Sequence, residues 1–232
     1  MFERPWHREV LAVLRAFDAE QIARCEFLFG GGTRLVLDLG EYRESHDIDF
    51  VCSAAAGYAD LRLIARNQGY AGLFTPEGIA ELSFPREIRT DQYGIRFPVV
   101  HGHHMMKVEF IREGRIALAS GTRPEWSPVE CLSPLDCYAE KILANCDRWP
   151  DRQVLSRDLI DLAVLRARWG PIPQAAWQKA ESAYKSAVRS DLEKALAAFQ
   201  DELGYQRRCF EGLRVEEPRS ILKALAQLAE EI

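Results

Sequence analysis

The feature that most constrains this chain is a short apolar run that carries two aspartates, Asp47-Ile48-Asp49-Phe50-Val51. Side chains of a β-strand alternate between its two faces, so Asp47 and Asp49 are predicted to share one face. Two adjacent carboxylates repel each other and are costly to bury without a countercharge. Hard divalent cations such as Mg2+ prefer carboxylate oxygen, and the run therefore predicts a metal-binding strand.

A glycine-rich turn precedes this strand. Gly31 and Gly32 let the backbone approach a ligand closely, and with Thr33 they open a short helical segment. The exposed N–H groups of a helix start attract anions such as phosphate, with the Thr33 hydroxyl as a further donor. A tight turn without a ligand is the alternative for the glycines. Their position before the two aspartates favours a phosphate site and hence nucleotide chemistry.

Five segments in chain order resemble the AbiEii/AbiGii toxin family, within the DNA polymerase β-like nucleotidyltransferase superfamily. They are residues 29–35, 43–50, 107–110, 139–144 and 157–162. Members of this family are the toxin halves of bacterial type IV toxin–antitoxin and phage-abortive systems. The resemblance implies an α+β fold, in which a polymerase β-like nucleotidyltransferase domain with a mixed sheet is followed by an α-helical domain. The change to a wholly helical pattern places these domains at residues 1–125 and 126–232.

The resemblance also implies a reaction and a metal. The expected enzyme is a nucleotidyltransferase that depends on Mg2+ (or Mn2+) and moves a nucleoside monophosphate from a nucleoside triphosphate to an acceptor. Asp47 and Asp49 would bind the metal, with Glu109 as the third carboxylate. An ion pair of Glu109 with Lys107 or Arg115 is the structural alternative.

Further candidate residues follow from the same resemblance. Lys141 would contact the triphosphate, and its replacement is expected to weaken nucleotide binding with little effect on thermal stability. Asp158 and Asp161 both match a motif in which one aspartate is needed for activity, and the sequence does not decide between them. Arg43 and Ser45 either contact the nucleotide or are structural partners of Asp47 and Asp49. For Asp161 the structural alternative is an ion pair with Arg157, one helical turn away.

The acceptor is left open by the sequence. An RNA such as tRNA is the first interpretation, with a cognate antitoxin protein as a further partner. A small molecule or a protein side chain is the second, and the net charge of −5 mildly favours it. A nucleotide-binding module without catalysis is the third. Six scattered cysteines and the lack of a long apolar run predict a cytoplasmic protein that does not associate with a membrane.

Local patterns add three expectations. Glu113-Gly114 predicts a hairpin turn into a strand over 115–118. Ser133-Pro134 predicts a helix start, and Ser190 with Glu193 predicts another, in a helix that Gly204 ends. His101, His103 and His104 raise the alternative of a zinc site, although no further ligand follows at standard spacing.

Overall fold

A mixed β-sheet organises the N-terminal part of the chain. The structure, a computed structural model, describes residues 2–232. Within these residues the sheet has five strands in the order β1-β2-β5-β4-β3. Their bounds are Leu28–Phe29 (β1), Ile48–Cys52 (β2), Arg89–Thr90 (β3), Gly94–His101 (β4) and His104–Arg112 (β5). Strands β2 and β5 are parallel, whereas the other neighbouring pairs are antiparallel.

One face of this sheet forms a hydrophobic core. Ile48 and Phe50 of β2 and Val108 and Phe110 of β5 are all 0 % exposed, and the rings of Phe50 and Phe110 stack with centroids 4.7 Å apart. The helices of this unit are Pro5–Ala16 (α1), Ala19–Arg24 (α2), Gly31–Asp38 (α3), Ala55–Gln68 (α4) and Pro76–Glu81 (α5). The alternation of buried residues leaves the intervening side chains on the opposite face of the sheet.

The hairpin of this sheet lies at a different position from the predicted one. Strands β4 and β5 are joined at Gly102, whose φ is +57°, and residues 115–118 do not form a strand. The prediction from Glu113-Gly114 was therefore wrong. Glu113 is buried, and its carboxylate accepts hydrogen bonds from the backbone N–H and guanidinium of Arg115. This local pairing occupies the backbone in a turn rather than in a β ladder.

The C-terminal part is helical. Its helices are Pro134–Arg148 (α6), Arg157–Trp169 (α7), Gln174–Tyr184 (α8), Ala187–Gln200 (α9), Leu203–Gly212 (α10) and Pro218–Ala229 (α11). The predicted start at Pro134 is confirmed. The predicted start at Ser190 was wrong, because α9 already begins at Ala187, and Gly204 lies inside α10.

Contacts divide the chain into two units. The sheet unit contains the residues up to Glu41 together with Ser45–Ser133, and the helical unit contains Tyr42–Glu44 together with Pro134–Ile232. The predicted mixed α+β class is confirmed. No helix within residues 2–232 is both long and apolar enough to cross a membrane.

Candidate active site

The two aspartates of the apolar run share a sheet face. Asp49 lies in β2 and Asp47 directly precedes it; both are half-buried, whereas the intervening Ile48 is fully buried. The Asp47 carboxylate makes no hydrogen bond or ion pair with any group in residues 2–232. A half-buried carboxylate of this kind is suited to accept a ligand.

Glu109 lies directly beside Asp49. The parallel register of β2 and β5 pairs the two residues, so their side chains project from the same face of neighbouring strands, which lie about 4.8 Å apart. The strand pairing thus brings together two of the three carboxylates proposed from the sequence. Metal binding by these residues remains a prediction.

Both oxygens of Glu109 contact cations. Arg96, its partner across β4 and β5, donates from Nε to Oε1 over 2.8 Å, and Lys107 Nζ lies 2.5 Å from Oε2. The alternative of a Lys107 ion pair is therefore present, whereas Arg115 pairs with Glu113. In this arrangement no three His, Cys, Asp or Glu side chains within residues 2–232 form a ready-made metal site.

The glycine turn packs against Asp49. The Gly30 N–H donates to the Asp49 carbonyl oxygen over 2.8 Å, and α3 begins at the next residue. Gly31 has a φ of +67°, and a Cβ at this position would lie 2.3 Å from Asp49 Oδ2. A side chain at Gly31 would therefore displace the carboxylate. The close approach places the start of α3, with its exposed N–H groups, beside the candidate metal ligand.

A chain of hydrogen bonds holds the segment before Asp47. The Thr33 hydroxyl donates to Ser45 Oγ over 2.8 Å, and the Ser45 N–H donates to His7 Nε2 over 3.3 Å. His7 is fully buried, and its Nδ1 lies 2.8 Å from Glu41 Oε1. Because Nε2 accepts, Nδ1 carries the proton and donates to Glu41. His7 is not predictable as a partner of Ser45 from the sequence, since no local spacing links the two residues.

The pKa of Glu41 agrees with this arrangement. Burial opposes its ionisation, but hydrogen bonds from two backbone N–H groups and from His7 lower its pKa below the ordinary value. Glu41 is thus a charged anchor for the imidazole. Thr33 is itself buried, so its hydroxyl serves this chain in the present structure.

A buried ionic network lies in the helical unit. Lys141 Nζ is 3.0 Å from Asp158 Oδ1 and 2.7 Å from Asp161 Oδ2. The Arg43 guanidinium donates two hydrogen bonds to the Asp161 carboxylate, of 2.7 and 2.8 Å. Arg148 Nη2 lies 2.7 Å from Asp158 Oδ2. The structure therefore brings together four of the sequence candidates, Arg43, Lys141, Asp158 and Asp161. Arg157 makes no ion pair with Asp161 in the part of the chain that the structure describes.

The network keeps both aspartates ionised. Burial opposes their charge, but Lys141 and Arg148 lower the pKa of Asp158, and Arg43 and Lys141 lower the pKa of Asp161. Tyr42, which the sequence analysis also missed, donates its hydroxyl to Asp161 over 2.7 Å. Burial and the charge of Asp161 raise the pKa of Tyr42 well above its ordinary value. Asp158 and Asp161 thus act here as counterions of a buried cation pair.

The histidines near the hairpin have other partners. His101 Nδ1 pairs with Glu9, and the His104 ring lies 4.4 Å from the Trp6 ring in an edge-to-face contact. The ring of His46, next to Asp47, lies 4.1 Å from the Trp6 ring in a tilted contact. These contacts describe packing around α1.

One comparison with known proteins gives a family, and another gives a shared fold. A family model described as "Nucleotidyl transferase AbiEii toxin, Type IV TA system" matches residues 12–227. The crystal structure of JHP933 from Helicobacter pylori is similar at 13 % identity with a TM-score of 0.59, over 99 % of this chain and 93 % of that one. This likeness shows a shared fold.

Two further structures are more distant. A putative nucleotidyltransferase from H. pylori is 11 % identical with a TM-score of 0.38, over 83 % of this chain and 96 % of that one. An antigenic nucleotidyltransferase-like protein from Paracoccidioides brasiliensis is 14 % identical with a TM-score of 0.45, over 90 % and 94 %. No curated protein matched the sequence.

Proposed function

Since the chain belongs to the AbiEii nucleotidyltransferase toxin family of type IV toxin–antitoxin systems, we propose that it transfers a nucleoside monophosphate from a nucleoside triphosphate to an RNA acceptor such as tRNA, with Mg2+ or Mn2+ as cofactor. The observation that best supports this reaction is the pairing of Asp49 with Glu109, directly beside the Gly31 turn. Carboxylates and a phosphate-binding helix start are the two parts that nucleotidyl transfer requires.

The residues fit a hard divalent cation. Asp47, Asp49 and Glu109 supply only oxygen ligands, which Mg2+ prefers, and the missing side chain of Gly31 leaves space at the Asp49 carboxylate. Bound there, two such ions would stabilise the attacking and leaving oxygens of the transfer. Glu109 would become a metal ligand on giving up its contacts with Arg96 and Lys107. Its carboxylate would accept the proton of the hydroxyl that attacks the α-phosphate as pyrophosphate leaves.

Other residues bind the triphosphate or orient the turn that holds it. The N–H groups of Gly31 and Gly32 at the start of α3 hold the triphosphate, and the bond between Thr33 and Ser45 fixes this turn to the segment that carries Asp47. In the helical unit, Lys141 and Arg43 contact the triphosphate while they stay ion-paired with Asp158 and Asp161. The two aspartates therefore act as positioning residues.

The family also suggests a cognate antitoxin protein as partner. The competing acceptors are a small molecule and a protein side chain, and the competing non-enzymatic role is nucleotide binding alone. The vacant Asp47 carboxylate argues against the last, because a binding-only protein gains nothing from two adjacent carboxylates beside a phosphate site.

The test is incubation of the purified protein with each labelled nucleoside triphosphate, Mg2+, and total RNA or total protein. The wild type should label RNA, and Asp49→Asn should lower transfer by roughly a hundredfold or more, because it removes a metal ligand. Asp60→Asn, at an exposed position of α4, is the matched control and should keep full activity. Label in protein would replace RNA as the acceptor. Growth arrest that persists unchanged in Asp49→Asn, without label in any fraction, would leave only the binding module.

A further inference from the structure

A basic cavity lies on the same sheet face as the candidate carboxylates. Its volume is about 310 Å3, and the residues that characterise it are Arg86, Arg89, Arg96, Pro98, Met105 and Lys107. Among the described residues that line it, four carry positive charge and one, Glu87, carries negative charge.

Two of its cations lack a protein partner. Arg96 and Lys107 pair with Glu109, as described above. Arg86 and Arg89 are exposed, and neither guanidinium forms an ion pair within residues 2–232. Two guanidinium groups that line one cavity without an ion-pair partner are suited to phosphate, since guanidinium geometry matches phosphate oxygens.

The wall of the cavity is apolar. Met105, which is 62 % exposed, and Pro98 line the cavity together with the cations. A free phosphate or triphosphate would leave this apolar surface in water. A ligand that carries both a phosphate and a flat apolar ring uses the two parts together, and a nucleotide of a single strand has this chemistry.

The strand order places the cavity on the side of Glu109 that faces away from the Gly31 turn. Asp49 pairs with Glu109, Glu109 with Arg96, and Arg96 with Arg89, so each step crosses to the next strand at about 4.8 Å. The Gly31 turn follows β1, on the opposite side of Asp49. A ligand in the cavity thus approaches Glu109 from the side away from the phosphate-binding turn.

We propose that this cavity binds a nucleotide of the single-stranded end of the RNA acceptor. Arg86 and Arg89 hold its phosphate, while Met105 and Pro98 pack against its base. The inference rests on the proposed function in one respect, that the acceptor is an RNA. It adds the part of the protein that holds the strand while its terminal hydroxyl reaches Glu109.

The experiment measures binding without chemistry. Fluorescence anisotropy of a short labelled single-stranded RNA is followed in the absence of nucleoside triphosphate, in an Asp49→Asn background, over a range of salt concentrations. Arg86→Ala/Arg89→Ala should lower affinity roughly tenfold and reduce the slope of log K against log salt by about 0.7, because the two arginines hold one phosphate. Met105→Ala should lower affinity with an unchanged slope.

Arg66→Ala on α4 is the matched control, because Arg66 is exposed and outside the cavity. It should leave affinity and slope near those of the parent, and thermal unfolding checks that every variant is folded. An unchanged slope and affinity in the double variant would overturn the proposal. So would a variant that loses affinity for a labelled acidic peptide but not for RNA, since the cavity would then fit a protein partner.

The two proposals fail in distinguishable ways. RNA binding that depends on Arg86 and Arg89, in a wild-type protein that transfers no nucleotide, would contradict the reaction and keep the cavity. Transfer to RNA with an unchanged acceptor KM in Arg86→Ala/Arg89→Ala would keep the reaction and overturn the cavity.

Discussion

Gly31 combines a left-handed backbone conformation with a close approach to Asp49, a candidate metal ligand. Its φ of +67° lies in the left-handed region, and a Cβ would lie 2.3 Å from Asp49 Oδ2. Gly31→Ala should therefore move the Asp49 carboxylate and lower nucleotidyl transfer at least tenfold. Left-handed backbone at a non-glycine residue should also cost about 1–2 kcal/mol of stability. Activity assays and thermal unfolding measure the two effects separately.

Gly40 provides the matched control for this change. It also has a positive φ, +85°, but a Cβ there would meet nothing within 4 Å. Gly40→Ala should carry a similar backbone cost and keep activity. Equal activity in the two alanine variants would show that the close approach of Gly31 to Asp49 does not contribute to activity.

The structure and the sequence alone predict different effects on stability when Lys141 is replaced. The sequence predicted a small effect on stability, but Lys141 is buried and neutralises Asp158 and Asp161. Lys141→Met should cost about 3–5 kcal/mol, because it leaves buried carboxylates short of a cation. Chemical denaturation would measure this loss.

Lys194→Met is the control for that experiment. Lys194 is 55 % exposed and pairs with Asp191 at the surface of α9, so the change should cost about 0–1 kcal/mol. If Lys141→Met proved as stable as Lys194→Met, the buried network would not contribute to folding.

At the scale of elements, Asp158 and Asp161 of α7 pair with cations of α6 and also with Arg43, which lies far away in sequence. Arg43 and Asp161 are 118 residues apart. Such contacts have no local signature, which explains why the sequence analysis found both residues but not their partnership. It found the β2 pattern because Ile48 and Phe50 alternate with Asp47 and Asp49 within five residues.

The same network sets a pH dependence. The folded pKa of Asp161 is lowered relative to the unfolded value of about 3.9, so the unfolded state binds more protons at acidic pH and stability rises with pH. This contribution is complete above about pH 5 and is lost as pH falls through the folded pKa. Denaturation between pH 6 and pH 3 should show a shallower slope for Asp161→Asn than for the wild type.

Glu202→Gln is the control, since the partner of Glu202, Arg152, is 53 % exposed and the pair lies at the surface. Its stability should follow pH almost as the wild type does. A wild-type slope in Asp161→Asn would contradict the proposed role of Asp161 as a permanently charged counterion.

At the scale of the whole molecule, the sequence supplied the fold class and the order of its parts. The sequence located β2 by its alternation and the start of α6 by its capping pattern. It placed the hairpin and the start of α9 wrongly, where a turn motif was read without its tertiary partners. It also could not reveal that Tyr42–Glu44 belongs to the helical unit, since this depends on contacts with Asp161 and Leu213.

The membership of Tyr42–Glu44 in the helical unit has a consequence for synthesis of the protein. Arg43 is made 118 residues before Asp161. At about 5–20 residues per second, the interval is on the order of ten seconds. During this time the segment that leads into Asp47 has no helical unit to join. A ribosome that stops before Asp161 therefore releases a chain in which Arg43 lacks its carboxylate partner and Tyr42–Glu44 lacks the contacts that place it in the helical unit.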